Sequence, residues 1–329
     1  MPNAAPLVIG HRGAPGYRPE HTRSSYALAL QMGVDAVEPD VVVSSDGVLV
    51  VRHENEISTT TDVASRPEFA ARRTTKRIDG QNVTGWFTED FTWAELATLC
   101  CRERLPRLRP DNTVFDGREP MLRLRDVLDL AAGAGRGVVL EIKHATYFAA
   151  IGCDIAQLIA DELHAAGWAD GIHPLVIESF ESTALGRVRA LGVVAPYVYL
   201  LEHRGRPADL AAAQGGAAPT YASMLTAAGL DALAGAVDGI SVDKRYLTGS
   251  AHDAAAVVAG AHDRGLVVYT WTARPENAFL SRPFRTRGGD AAFGDYAGEW
   301  ARLRDAGIDG VFVDHPDLGV EVFRGPPLR

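Results

Sequence analysis

Hydrophobic and β-branched residues fall into short runs along the chain, each followed by a stretch rich in alanine and leucine at helical spacing. The runs are Leu7–Gly13, Ala36–Val43, Gly137–His144, Pro174–Phe180, Ala195–Glu202, Gly239–Leu247, Leu266–Ala273 and Gly310–Asp314. Strands alternating with helices imply a parallel sheet, and eight of them predict a TIM-type (β/α)8 barrel of the α/β class rather than an open sheet. Three helical stretches, His21–Gly33, Ile151–Gly167 and Asp295–Gly307, each end on a glycine, which closes helices in a left-handed conformation. The alanine- and glycine-rich stretch Ala208–Val237 carries leucines often enough to predict packed helix.

Two stretches interrupt this rhythm. Asn55–Glu119 is rich in Thr, Arg, Asp and Pro, has no strong strand signal, and reads as a subdomain inserted after the second strand. Arg274–Gly294, with Pro275, Pro283, Gly288 and Gly289, follows the seventh strand. Loops after barrel strands open onto the catalytic face, so both insertions are expected to wall or cover a site. Residues 1–329 are thus expected to form a single barrel domain with insertions 55–119 and 274–294.

Composition narrows the function. With 47% hydrophobic residues the chain can bury a large core, which excludes collagen-like and disordered classes. Its 33 Lys+Arg against 42 Asp+Glu leave a formal charge of −9, which argues against a nucleic-acid partner. Cys100, Cys101 and Cys153 offer neither a disulfide framework nor metal-binding spacing. The segment MPNAAPLVIG lacks a signal peptide's basic and apolar regions, and no run approaches ~18 apolar residues. A cytoplasmic protein without stable membrane insertion is expected, periplasmic or secreted only if a leader has been removed. The oligomeric state is not encoded in any pattern we read.

Candidate chemistry lies at strand ends. Strand residues two apart share a face, so Glu38 projects with Asp40, and Glu141 with Lys143. Carboxylates pointing into a barrel need a partner, because desolvating an isolated one costs several kcal/mol. Glu38, Asp40 and Glu141 converging from two strands are best explained by a divalent cation, and an all-oxygen set suits Mg²⁺, Ca²⁺ or Mn²⁺ over Zn²⁺. The alternative is a buried ion network with Lys143 and nearby arginines. His11 closes the first strand, and His53 closes the extended run that follows the second. Such a pair can accept and donate protons, while Arg12 and Lys143 supply fixed positive charge. A hard metal with Arg, Lys and two histidines suits a phosphoryl transition state.

These residues resemble a known family. His11-Arg12-Gly13, Pro19-Glu20-His21-Thr22, Glu38-Pro39-Asp40-Val41, Asp46-Gly47 and His53 look like the signature of glycerophosphodiester phosphodiesterases. Glu141-Ile142-Lys143, Glu178-Ser179-Phe180, Asp243-Lys244, Thr270-Trp271-Thr272 and Asp314-His315-Pro316-Asp317 extend the similarity along the barrel. The segments Arg104–Pro110 and Arg274-Pro275-Glu276-Asn277 are similar to the bacterial, periplasmic-type branch. The resemblance implies hydrolysis of a small-molecule glycerophosphodiester to sn-glycerol 3-phosphate and an alcohol. It also implies one divalent cation, Ca²⁺ favoured and Mg²⁺ the alternative. By matching motif positions, Glu38, Asp40 and Glu141 are metal ligands, His11 and His53 the acid/base pair, and Arg12 and Lys143 phosphate contacts. Phe180 and Trp271 match aromatics beside the glycerol or alcohol. Two positions depart from the pattern: His53-Glu54 stands where the family has His-Asp, and His21-Thr22 where it has Asn-Thr. The alternatives are a lysophospholipase D-type activity on larger lipids, against which the polar insertion argues, and a non-catalytic barrel that only binds such diesters.

Overall fold

The computed structural model describes residues 5–249 and 254–325. Its strands are β1 (Leu7–His11), β2 (Ala36–Glu38), β3 (Asp40–Val43), β4 (Leu49–Val51), β5 (Thr74–Ile78) and β6 (Gln81–Gly85). They continue with β7 (Gly137–Ile142), β8 (Leu175–Ser179), β9 (Tyr197–Leu201), β10 (Gly239–Asp243), β11 (Val267–Ala273) and β12 (Gly310–Val313). Parallel pairing runs from β7 in order to β12, from β12 to β1 and from β1 to β2, and β2 closes the ring onto β7. The result is the closed (β/α)8 barrel that the run pattern predicts.

Alternation along each strand divides the core in two. Val8, Val138, Leu140, Ile177, Val268 and Val311 face outward into the large cluster shared with the helices. Ile9, Ala36, Val139, Val198, Tyr269 and Phe312 face inward and fill the barrel. Two residues further along the same inner faces stand His11, Glu38, Glu141 and Asp314, so the hydrophobic layer is the floor on which the polar groups rest.

The second barrel strand is split. Pro39 has no N–H to give the ladder, which separates β2 from β3, although its carbonyl still accepts from the Glu141 N–H at 3.0 Å. Beyond the break β3 runs beside β7, then turns back as the antiparallel β4. The Arg52 N–H donates to the Asp40 carbonyl at 3.0 Å, bringing His53 back to the strand end it would otherwise leave behind.

Some expectations are corrected. Within Asn55–Glu119, read as lacking strands, Thr74–Ile78 and Gln81–Gly85 pair as a hairpin. Asp79 and Gly80 both take positive φ, 45° and 83°, the twist a two-residue hairpin loop requires. The hairpin is mostly exposed, so it carries no apolar alternation that would reveal it. The expected helix Ile151–Gly167 is shorter, Ile155–Ala166, capped by Asp154 and preceded by a separate helix Ala145–Ala150. The expected strand Gly239–Leu247 ends at Asp243 and gives way to a helical turn, Arg245–Thr248. Ala208–Val237 folds as Ala208–Gln214, Tyr221–Met224 and Ala227–Leu233, broken after Gln214 where Gly215 takes φ 58°. No helix among the described residues is long and apolar enough to cross a membrane.

After His11 the chain makes a tight turn into the helix Arg23–Gln31. Gly13 takes φ 94°, and a Cβ there would stand 2.5 Å from Ser25 Oγ and 2.6 Å from the Ser25 carbonyl carbon. Gly133, at the end of the helix Leu124–Gly133, would meet nothing within 4 Å. We therefore expect Gly13→Ala to cost more than about 1 kcal/mol in urea unfolding. Gly133→Ala should be neutral or gain up to about 1 kcal/mol in the same measurement.

Candidate active site

Glu38, Glu141 and Glu178 come from neighbouring strands of the ring, and one carboxylate oxygen of each lies within 4.8 Å of the others. Glu141 and Glu178 are direct register partners across β7 and β8. All three are buried. Glu38 Oε2 accepts from the Arg12 N–H at 2.8 Å, and Glu141 Oε1 from Lys143 Nζ at 2.8 Å. Glu38 Oε1 and Glu178 Oε2 are buried without a hydrogen-bond partner. Burial first, and then mutual repulsion, push the carboxyl groups of Glu38 and Glu178 well above their ordinary range. Burial does the same to Glu141, up to about 8, against the pull of Lys143. Ionising all three would thus crowd negative charge into low dielectric, with unsatisfied oxygens facing one another. A hard divalent cation is the group this donor set fits.

Asp40 stands beside the cluster. Its Oδ2 accepts from His21 Nε2 at 2.9 Å and lies 3.2 Å from Arg12 Nε. Its Oδ1 has no hydrogen-bond partner and lies 3.7 Å from Lys143 Nζ. Burial opposes ionisation, but Lys143, His53, Arg12 and the His21 bond hold this carboxyl well below its usual range. The helix that follows is capped by Thr22, whose Oγ1 accepts from the Ser25 N–H, so His21 is not the cap. With φ 58° and its ring fully buried, His21 reaches inward to Asp40 instead.

The two histidines are oriented alike. His11 Nδ1 donates to Asp314 Oδ1 at 2.6 Å, and His53 Nδ1 pairs with Glu54 Oε1 at 2.8 Å. Each ring therefore presents Nε2 to the other side, where that of His53 meets Lys143 Nζ at 3.1 Å. Burial, with Arg12 adding repulsion, lowers His11 to about 3 despite Asp314. Burial and the cations Arg12 and Lys143 lower His53 to about 4. Both are neutral imidazoles in neutral solution.

Asp314 is fully buried and joins distant parts of the chain. Its Oδ2 accepts from Arg109 Nη2 and from Arg274 Nε, each at 2.6 Å. Arg109 also binds Glu276 Oε1 at 2.7 Å and the Pro15 carbonyl at 3.0 Å. Both stretches read as insertions thus meet behind His11. Arg12 is similarly anchored, its Nη1 donating to Glu20 Oε1 and Oε2 at 3.1 and 3.0 Å.

A cavity of about 1560 Å³ opens over these groups. His11, Arg12, Glu38, His53, Glu141, Lys143, Phe180 and Trp271 all line it, whereas Asp40 lies behind the wall. Phe180 meets Trp271 edge to face at 5.6 Å, and Lys143 Nζ lies 5.6 Å from the centre of the Phe180 ring. Exposed Arg77, Arg204, Arg206 and Arg285 also line it. Sequence reasoning did not single out Glu178, Asp314, Arg109, His21 or Glu54 for a role. Of these Glu178 and Asp314 carried a strand signal, because they share the inner-face alternation of Val176 on β8 and Phe312 on β12.

The profile of the glycerophosphoryl diester phosphodiesterase family matches residues 11–318. The glycerophosphodiester phosphodiesterase GDPD6 of Arabidopsis thaliana is 30% identical over 95% of this chain and 85% of its own. A glycerophosphodiester phosphodiesterase of Treponema pallidum is 26% identical over 98% and 93%. In fold, the chain is similar to an Oleispira antarctica phosphodiesterase solved with the product sn-glycerol-3-phosphate. That likeness has a TM-score of 0.66 at 20% identity and covers 98% of both chains.

Asp314→Ala would leave the buried Arg109 and the half-buried Arg274 without their shared anion. We expect a loss of about 3–5 kcal/mol in urea unfolding.

Proposed function

The chain belongs to the glycerophosphoryl diester phosphodiesterase family and is a glycerophosphodiester phosphodiesterase, and from that premise we propose how its own residues carry out the hydrolysis. The observation that carries the reading is the cluster of Glu38, Glu141 and Glu178, with orphaned buried oxygens, set among His11, His53, Arg12 and Lys143. The three glutamates, with Asp40 beside them, would hold one divalent cation, Ca²⁺ or Mg²⁺. When bound, such an ion supplies Lewis-acid polarisation of a phosphoryl oxygen.

Arg12 and Lys143 offset the charge that grows on the non-bridging oxygens, and their carboxylate partners hold them in place before substrate arrives. His11 and His53 divide the proton transfers. One accepts the proton of the attacking hydroxyl at Nε2; the other takes up a proton at Nε2 from solvent as the anionic diester binds beside it, and gives that proton to the departing alkoxide. In each, the carboxylate on Nδ1 fixes the tautomer and steadies the imidazolium when it forms, as in the Ser-His-Asp arrangement. The attacking oxygen, that of water or of the neighbouring glycerol hydroxyl, bonds to phosphorus as the bond to the alcohol oxygen breaks; by the second route water then opens the cyclic phosphate, so both end on sn-glycerol 3-phosphate and the alcohol. Phe180 and Trp271 form an apolar corner against which the glycerol or the alcohol packs.

Release of glycerol 3-phosphate from glycerophosphocholine, glycerophosphoethanolamine and glycerophosphoglycerol tests the reading. Chelation should abolish it, and Ca²⁺ or Mg²⁺ added back should restore it; full activity after exhaustive chelation would remove the cation. His11→Ala and His53→Ala should each lower kcat by about 10²–10⁴. Near wild-type turnover in both would end the proton-transfer assignment.

A further inference from the structure

The mechanism gives no task to the half-buried imidazole of His144. His144 directly follows Lys143 and opens the helix Ala145–Ala150 with φ 52°, a left-handed turn that aims its ring across the cavity wall. Its Nε2 faces Glu54 Oε2 at 3.0 Å, and its Nδ1 faces Asp79 Oδ2 at 2.6 Å. Ionised carboxylates only accept hydrogen bonds, so a ring bonded to one at each nitrogen carries both protons. Glu54 in turn pairs with His53 Nδ1 through its other oxygen, at 2.8 Å. Asp79 sits at the tip of the β5–β6 hairpin, and Asp79, Glu54 and His144 all line the cavity. A continuous chain of polar contacts, two hydrogen bonds and one ion pair, therefore runs from the hairpin tip through His144 and Glu54 to His53.

The Glu54 side chain is 51% exposed. A glutamate that open, bonded only to His53, would surrender much of the bond to its own rotameric freedom and to solvent. His144, whose side chain is only 12% exposed, supplies the second anchor. It lies on the segment that leaves β7, so it ties Glu54 and the hairpin to the barrel itself.

We propose that His144 is a positioning residue of this enzyme: it clamps Glu54 against His53 and holds the β5–β6 hairpin tip at the cavity rim. The proposal rests on the reading of His53 as a proton-transfer residue. The groups facing the ring are Asp79 from the hairpin and Glu54 with His53 from the segment after β4, while Lys143 precedes it in the chain and Glu181, after β8, binds the neighbouring Thr146. Bonds to Asp79 and Glu54 outweigh burial and raise the imidazolium to about 9. Since the ordinary histidine value is ~6.5, the clamp is fully formed below that pH and is lost as pH rises through about 9.

The experiment compares wild type with His144→Ala, Asp79→Ala and His53→Ala. It follows glycerol 3-phosphate release from glycerophosphocholine across pH, the ¹⁵N shifts of His53, and amide exchange in residues 74–85. His144→Ala should lower kcat about 10–100-fold and alter the His53 tautomer signature. It should also lack the wild-type alkaline fall near pH 9. Asp79→Ala, a change at the exposed hairpin tip, should speed hairpin exchange and shift the His53 signal even if His144→Ala folds poorly. An Asp79→Ala protein with unchanged hairpin exchange and His53 shifts would overturn the proposal. So would His144→Ala at wild-type kcat and pH profile while His53→Ala is inactive. An active His53→Ala would instead overturn the reading of His53.

Discussion

Asp314 is the carboxylate on which the rest of the site hangs. An acid sealed away from water stays ionised only if cations surround it, and here Arg274 and Arg109, with the His11 hydrogen bond, hold it well below the usual carboxylate range despite burial. These partners come from after β11, from the stretch after β4, and from the end of β1. The same anion that sets the His11 tautomer therefore gathers segments more than 200 positions apart in sequence. Breaking one of these contacts would leave a bare charge in low dielectric, and this makes the arrangement all or none.

Across the barrel the charge balance runs the other way. Around Asp314 and Glu276 the cations Arg109 and Arg274 balance the acids, whereas Glu38, Glu141 and Glu178, once ionised, carry more negative charge than Lys143 and Arg12 can answer. The inner faces of the strands thus separate a neutralised half, which orients an imidazole, from a half built to take up a positive ion. Between them, Arg12 touches both: its backbone N–H donates to Glu38, and its guanidinium is held by Glu20.

Period-two alternation made much of this legible. It places His11 above Ile9 and Glu141 above Val139, and it sets Glu38 above Ala36, so inward carboxylates can be read from the strands alone. The same rule applied to β8 puts Glu178 inward, a step that was available and not taken. His53 was visible only as the end of an extended run, because its return to the site depends on the break at Pro39 and the antiparallel β4. Partnerships such as Arg109 with Asp314 follow no period, since loop closure brings them together and no local pattern records it. His21 stands where the family pattern has Asn, and no local pattern reveals that its side chain reaches inward to bond Asp40. The Asp79-Gly80 hairpin was written in plain turn chemistry, but its exposed Thr-rich strands lack the apolar signature that draws the eye.

The arginines at the cavity bear on how substrate arrives. A chain of formal charge −9 repels an anionic diester at long range. Arg206 and Arg285 bond backbone carbonyls rather than carboxylates, and with Arg77 and Arg204 they keep their charge turned toward the opening. Within roughly 8–10 Å, the screening length at ordinary ionic strength, such a local field outweighs the distant net charge. Diffusing anions are thus funnelled to one face of an otherwise repellent particle, and the capture rate becomes a property of the rim rather than of the whole surface.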